Sequence, residues 1–216
     1  MTVSAARAKQ VSATRELILS AAERLFAEHG VAAVSNRQVS EAAGQGNNTA
    51  VGYHFGTKAE LVAAIVRKHH EQIEHLRARM VADARGSRDV RDWVACTVLP
   101  HARHLADLGI PTWFGRFGAQ AMTDPAYREI MARESLNSPS LAEAAAELNR
   151  CLPELPQEVR EERRDMTRQL MVHVVAERER ALAEGGTTPR ESWEHAATGL
   201  IDAITGLWLA PITTRP

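Results

Sequence analysis

From Thr14 the chain repeats apolar residues at spacings of three and four: Leu17, Ile18, Ala21, Ala22, Leu25 and Phe26, with charges between them. That period predicts an amphipathic helix. Gly30, closing "EHG", sits where the residue after a helix belongs. Ser35-Asn36-Arg37-Gln38 has the spacing of a capping box. A second, short helix therefore begins at Asn36, turns Val39, Ala42 and Ala43 inward, and stops at Gly44. Thr57-Lys58-Ala59-Glu60 repeats the box and opens a long helix over 57–84, with Leu61, Ala64, Ile65 and Lys68 in its early turns.

The "ARGSRD" stretch at 84–89 breaks the pattern. Beyond it, Asp124-Pro125, Ser138-Pro139 and Thr188-Pro189 each place a capping side chain before a proline at the first helical position, and Thr188-Pro189-Arg190-Glu191 adds the spacing of a capping box. Pro111 and Pro156 punctuate similarly. Helices are expected near 88–107, 111–122, 125–134, 139–150, 157–184 and 190–209. No strand alternation, repeat or low-complexity segment appears. The expectation is an all-α protein: a flexible basic arm (1–11), a three-helix head (12–56), a linking helix (57–84) and a larger helical body (85–216).

Composition adds little to this. The 216 residues are 44% hydrophobic and 25% charged, with a net charge of −1. Residues 1–58 hold six Lys/Arg and four acids, a net of +2, which leaves 20 basic and 23 acidic residues, −3, for the rest. A mildly basic head permits a polyanion-binding end. Cys96 and Cys151 are far apart and form no CxxC, so they read as small buried hydrophobes. No charged-then-apolar leader opens the chain and no run approaches 18 apolar residues; the expectation is a soluble cytoplasmic protein without a membrane partner.

The stretch "GQGNNTAVGYHFGTK" at 44–58 interrupts two helical segments. Helices at 36–43 and 47–54, joined by Gly44-Gln45-Gly46, have the frame of a helix-turn-helix. Val51 and Phe55 share one face of the second helix and pack inward. The opposite face carries Thr49, Gly52 and Tyr53, flanked by Asn48. Asn suits adenine in the major groove and Thr suits a base edge. Tyr53, His54 and Lys58 offer donors for phosphates, which position a helix without reading sequence. An ordinary polar turn would show the same Asn and Gly content.

Residues 14–65 resemble the DNA-binding head of the tetracycline-repressor (TetR) family of bacterial transcription regulators. "ILSAAERLFAEHG", "VSNRQVSEAAG" and "YHFGTKAEL" carry the resemblance, the last most specifically. Two departures stand out: one extra residue between Gly44 and Tyr53, and Gly52 where the family commonly has an aromatic. The resemblance implies Ser35 and Arg37 near the DNA backbone and Asn47, Asn48 and Thr49 toward bases. It also implies a homodimer through the last two long helices, where Trp193, Ala197, Leu200, Ile201, Ile204 and Trp208 form an apolar stripe. A plain intrachain core would use the same stripe. The body should enclose a small-molecule pocket, with Trp93, His101, His104, Trp113, Phe114, Phe117, Gln120, Met122 and Tyr127 as candidate lining, though each also suits a simple core position.

Other chemistry lacks support. "HHEQIEH" (69–75) misses HExxH, since Glu74 stands where the second His belongs; it reads as a solvated helix face. His101 and His104 lack a third metal ligand. No nucleophile elbow, P-loop or dinucleotide fingerprint occurs, so no enzyme, metal or cofactor is expected. The expected function is a dimeric, sequence-specific regulator binding double-stranded DNA at a palindromic operator, a repressor released by an unidentified small-molecule effector. The alternative is a helical ligand-binding or scaffolding protein whose head has lost DNA binding.

Overall fold

A computed structural model describes residues 2–46 and 49–213, for 2–6 the backbone only. Ten helices occur among these residues: α1 Thr2–His29, α2 Asn36–Ala42, α3 Ala50–Phe55, α4 Lys58–Ala84, α5 Val90–Leu108, α6 Phe114–Thr123, α7 Pro125–Leu136, α8 Pro139–Cys151, α9 Gln157–Ala183 and α10 Trp193–Leu209. No strand is present among the described residues. The all-α expectation holds, with boundaries displaced by a few residues. The N-terminal segment differs: where a flexible arm was expected, α1 already runs from Thr2. Its Ala-rich sequence favours helix without any cap to announce it.

Two compact units are formed. The first takes the chain up to His69 and adds Trp113–Glu134; the second takes His70–Thr112 and Ser135 onward. Residues 113–134, expected in the body, therefore fold with the head. Aromatic packing is the cause. Phe26 of α1 stacks on Phe117 of α6 at 6.3 Å, and Phe117 on Phe114 at 6.3 Å. Phe114 lies 4.0 Å from the ring of His69 in α4, nearly parallel to it. His69 Nε2 is 3.0 Å from Glu23 Oε2 of α1, closing a circuit through three helices. His69 is 2% exposed, so this residue departs from the solvated face expected for "HHEQIEH", while Glu71, Gln72 and His75 are exposed as expected. Ile18 and Ala22 of α1 and Leu61, Val62, Ile65 and Val66 of α4 complete this core without solvent contact.

The second unit is built on α5, which packs against α8 and α10. Trp93 and Val94 are fully buried in it. Trp193, Ala197, Leu200, Ile201, Ile204 and Trp208 of α10 are all buried as well. Periodicity marked this stripe correctly as apolar, and within a single chain it is already covered by the chain's own core. Polar groups tie the unit together. Arg163 of α9 donates to the Trp208 and Ala210 carbonyls, each at 2.6 Å, and Thr112 Oγ1 donates to Glu179 at 2.6 Å. Glu74 of α4 caps the start of α8. It accepts from Ser138 Oγ, from Ser140 N at 3.0 Å and from Ser140 Oγ at 2.8 Å, while Arg77 donates to Ser138 Oγ at 3.0 Å. Burial alone would raise the Glu74 carboxyl; the bonds from Ser138 and Ser140, with Arg77 nearby, outweigh it and hold it below its ordinary value. Burial pushes the Cys96 thiol up to about 11.

His101 Nδ1 donates to the Thr97 carbonyl at 3.2 Å. Burial, then the charges of Arg77, His70 and His104, hold it well below the ordinary histidine value, so it stays neutral.

Two outcomes follow from this packing. Phe117 has no solvent exposure, so Phe117→Ala should destabilise the fold by about 3–5 kcal/mol; urea unfolding monitored by circular dichroism measures it, and a loss below about 1 kcal/mol would contradict the stacked core. His101 has a folded pKa below its unfolded one, so its contribution is full above about pH 6.5 and is lost as pH falls toward the folded value. Between about pH 7.5 and 5.5 the wild type should lose roughly 1 kcal/mol more than His101→Gln in the same titration; equal losses would show that the fold does not hold His101 neutral.

Candidate nucleic-acid interface

Two of the three capping boxes read from the sequence are formed; the one at Thr188–Glu191 is not, because α10 starts at Trp193 with Ser192 as its N-cap and Thr188 Oγ1 donates to the Arg190 carbonyl instead. Gln38 N donates to Ser35 Oγ at 3.3 Å and Ser35 N to Gln38 Oε1 at 2.8 Å, which starts α2. Glu60 N donates to Thr57 Oγ1 at 3.2 Å and Thr57 N to Glu60 Oε2 at 2.8 Å, which starts α4. Between them α2 ends at Ala42 and α3 begins only at Ala50. The expected helix at 47–54 is thus shorter, and the extra residue falls in the connection. Asn47 and Asn48 lie outside the described residues. Thr49 is exposed and occupies the N-cap position of α3.

A helix of six residues is far too short to be stable alone. Three anchors hold it. Ala50, Val51 and Phe55 are buried against the head, as their shared face predicted for the last two. Gly56 ends it with φ of 75°, a conformation that favours glycine, and an added Cβ would collide with Glu60 Oε2. The third anchor was not read from the sequence. Arg15 of α1 donates to the His54 carbonyl, and its guanidinium lies 4.2 Å from the centroid of the Phe55 ring. Its only sequence signal is a cation just before the buried face of α1.

The outward face matches its expected chemistry in part. Tyr53 is 79% exposed, with its ring edge-on to His54 at 4.9 Å. Gly52 is exposed, and a Cβ there would meet open space, so packing does not require the glycine. His54 is half-buried. Lys58 is also half-buried, and its Nζ donates to the Val31 carbonyl at 3.1 Å. Ser35 and Arg37 are exposed at the start of α2, Arg37 paired with Glu41 at 2.8 Å. The structure therefore gathers Thr49, Tyr53, His54 and Lys58 around α3, with Ser35 and Arg37 on α2.

The expected ligand-pocket residues are divided between the two units. Trp113, Phe117, Gln120 and Tyr127 belong to the first unit, with Phe114 and Met122. Trp93 is core of the second, its Nε1 donating to the Ser87 carbonyl at 3.2 Å. A cavity of about 350 Å³ does open in the second unit, between Gln72, His75, Leu76 and Arg79 of α4 and His104, Asp107 and Leu108 of α5. His104 is the expected residue found there. Spacing within one helix could not reveal the α4 wall.

Comparison with known proteins addresses the same regions. Residues 18–65 match the model of bacterial regulatory proteins of the tetR family, and residues 102–206 match a tetracyclin repressor-like C-terminal domain. The chain is 38% identical over 88 residues to TtgR of Pseudomonas putida, described as an HTH-type transcriptional regulator. It has the same identity over the same length to ArpR, also of Pseudomonas putida, which carries a like description. The match covers 41% of this chain and 39% of each relative, so the chain spans about two fifths of the length of the curated relatives it matches. Among solved structures, a Mesorhizobium loti protein described as a TetR-family transcriptional regulator aligns with TM-score 0.47 at 15% identity, covering 91% of this chain and 97% of that one. The multidrug binding protein EbrR complexed with imidazole aligns with TM-score 0.46 at 22% identity, covering 92% of each chain. Both the head, from α1 into α4, and the region from α5 to α10 are matched by models of one kind, and the chain belongs to the tetR family of bacterial regulatory proteins.

Proposed function

We propose that this protein is a sequence-specific, double-stranded-DNA-binding transcription regulator that acts as a homodimer and represses until a small-molecule effector releases it. The observation that carries the reading is α3: a short helix pinned from behind by Val51, Phe55 and Arg15, with Tyr53 directed outward. Such a helix presents polar groups to a major groove while its backbone stays rigid. Thr49, with Asn47 and Asn48 of the preceding connection, supplies base contacts; Tyr53, His54 and Lys58, with Ser35 and Arg37, supply backbone contacts. Lys58 exchanges the Val31 carbonyl for a phosphate on binding.

One such head covers only a few base pairs, so two related by a two-fold axis read a palindrome. The six α10 side chains are spent on the chain's own core. The apolar side chains Met166 and Val174 on α9 remain at the surface, at 47% and 42% exposure, and they form the core of the proposed dimer contact. The 85–216 segment, minus the part that folds with the head, is the effector and dimerisation region, and the α4–α5 cavity is the proposed effector site. An effector acts by its difference in affinity between the DNA-bound and free states.

The direct test is a gel-shift and footprint titration with DNA flanking the protein's own gene and with a random-sequence library. A protected palindrome, competed by specific but not random DNA, is expected; no preference over random DNA for a folded protein at low salt would refute the reading. Tyr53→Phe should weaken binding roughly tenfold by removing a charge-assisted bond to phosphate, with no change in unfolding midpoint. Met166→Glu should raise the dimer dissociation constant on the order of 100-fold, read by sedimentation equilibrium; an unchanged constant would move the interface off α9.

A further inference from the structure

The stretch of α1 from Arg7 to Ala13 is not buried by the fold. Residues 7–13 are all exposed, and the buried face begins only near Ile18. No acid occurs before Glu16, which is itself paired with Lys68 at 2.9 Å. Arg7 and Lys9 make no ion pair or hydrogen bond among the described residues. A solvated helix would carry mixed charge; this one carries cations alone.

Its position is fixed by Arg15. That side chain touches the His54 carbonyl and the Phe55 ring, so α1 passes the end of α3 at Arg15. At about 1.5 Å per residue, Lys9 lies about 9 Å and Arg7 about 12 Å further along the helix axis. Successive residues turn by about 100°, which sets the two cations about 200° apart, on opposite flanks of the helix.

We propose that this exposed start of α1 is a second DNA-backbone contact, in which Arg7 and Lys9 each bind a phosphate, one on either side of the helix, next to the site occupied by α3. The inference rests on the DNA-binding reading above and adds a flanking anchor to it. Because the cations lie on a helix rigidly continuous with the head, they contact DNA at a fixed distance from α3 without the ordering cost of a loose arm. Phosphate contacts carry no sequence information, so the anchor strengthens binding to every sequence alike.

The test uses the full-length protein and a selected duplex extended at both ends, over a series of salt concentrations. Arg7→Gln/Lys9→Gln should bind on the order of tenfold or more weakly at about 0.1 M salt, with the slope of log affinity against log salt reduced by about 1.8 and sequence preference unchanged. Ala8→Pro keeps both charges but breaks the helix between them, and should lose a similar amount. Affinity and slope equal to wild type in the double variant would overturn the anchor. Full affinity in Ala8→Pro would overturn its helical placement. If the wild type itself binds no selected duplex, the DNA-binding reading fails and the anchor falls with it, a result distinct from either variant outcome.

Discussion

The head depends on one buried contact: Glu23 of α1 meeting His69 of α4 at 3.0 Å beneath the ring of Phe114. A carboxylate and an imidazole removed from water are costly unless each satisfies the other. The pair therefore specifies how α1 and α4 meet, and Phe114 seals it. The Phe114–Phe117–Phe26 stack then returns to α1. Polar specificity and aromatic area act on the same three helices, and α2 and α3 have a fixed base only because this circuit is closed.

On that base α3 is a tertiary product. Six residues cannot sustain a helix by local bonds. Val51 and Phe55 supply apolar anchoring, Gly56 supplies a turn that other residues adopt at a cost, and Arg15 holds both a carbonyl and a ring of the same segment. What remains outward is polar, small or long and mobile, which suits a surface that trades water for DNA. The second unit relies on similar devices. Glu74 caps α8 while Arg77 donates to the Ser138 hydroxyl, and Arg163 satisfies carbonyls at the end of α10.

Local signals were legible in the sequence, and contacts between distant residues were not. The capping boxes of α2 and α4 formed as read, because their partners lie three residues apart; the one read at Thr188–Glu191 did not, because Ser192 caps α10 instead. The inward turn of Val51 and Phe55 was legible for the same reason. The burial of His69 was not, since Glu23 and Phe114 stand far from it in sequence and a polar helix face looks solvated by default. The α10 stripe showed that its residues are buried but not against what. The start of α1 carried no cap, and alanine propensity was the only clue. Arg15 resembled any surface cation until its partners on α3 were placed.

The return of residues 113–134 to the first unit has a bearing on how the chain is made. The head is discontinuous: its N-terminal part, up to His69, lacks Phe114 and Phe117 until a much later stretch arrives. On the ribosome, Phe26 and His69 emerge well before the aromatic rings that cover them. A nascent chain cut near residue 84 would expose an apolar groove where α6 belongs, and such surfaces attract chaperones or other chains. The head of the protein, with α3, is finished only after the whole of α5 and nearly all of α7 have been synthesised. Its maturation is therefore tied to successful synthesis of the middle of the chain, and no truncated product ending before α6 carries a completed head.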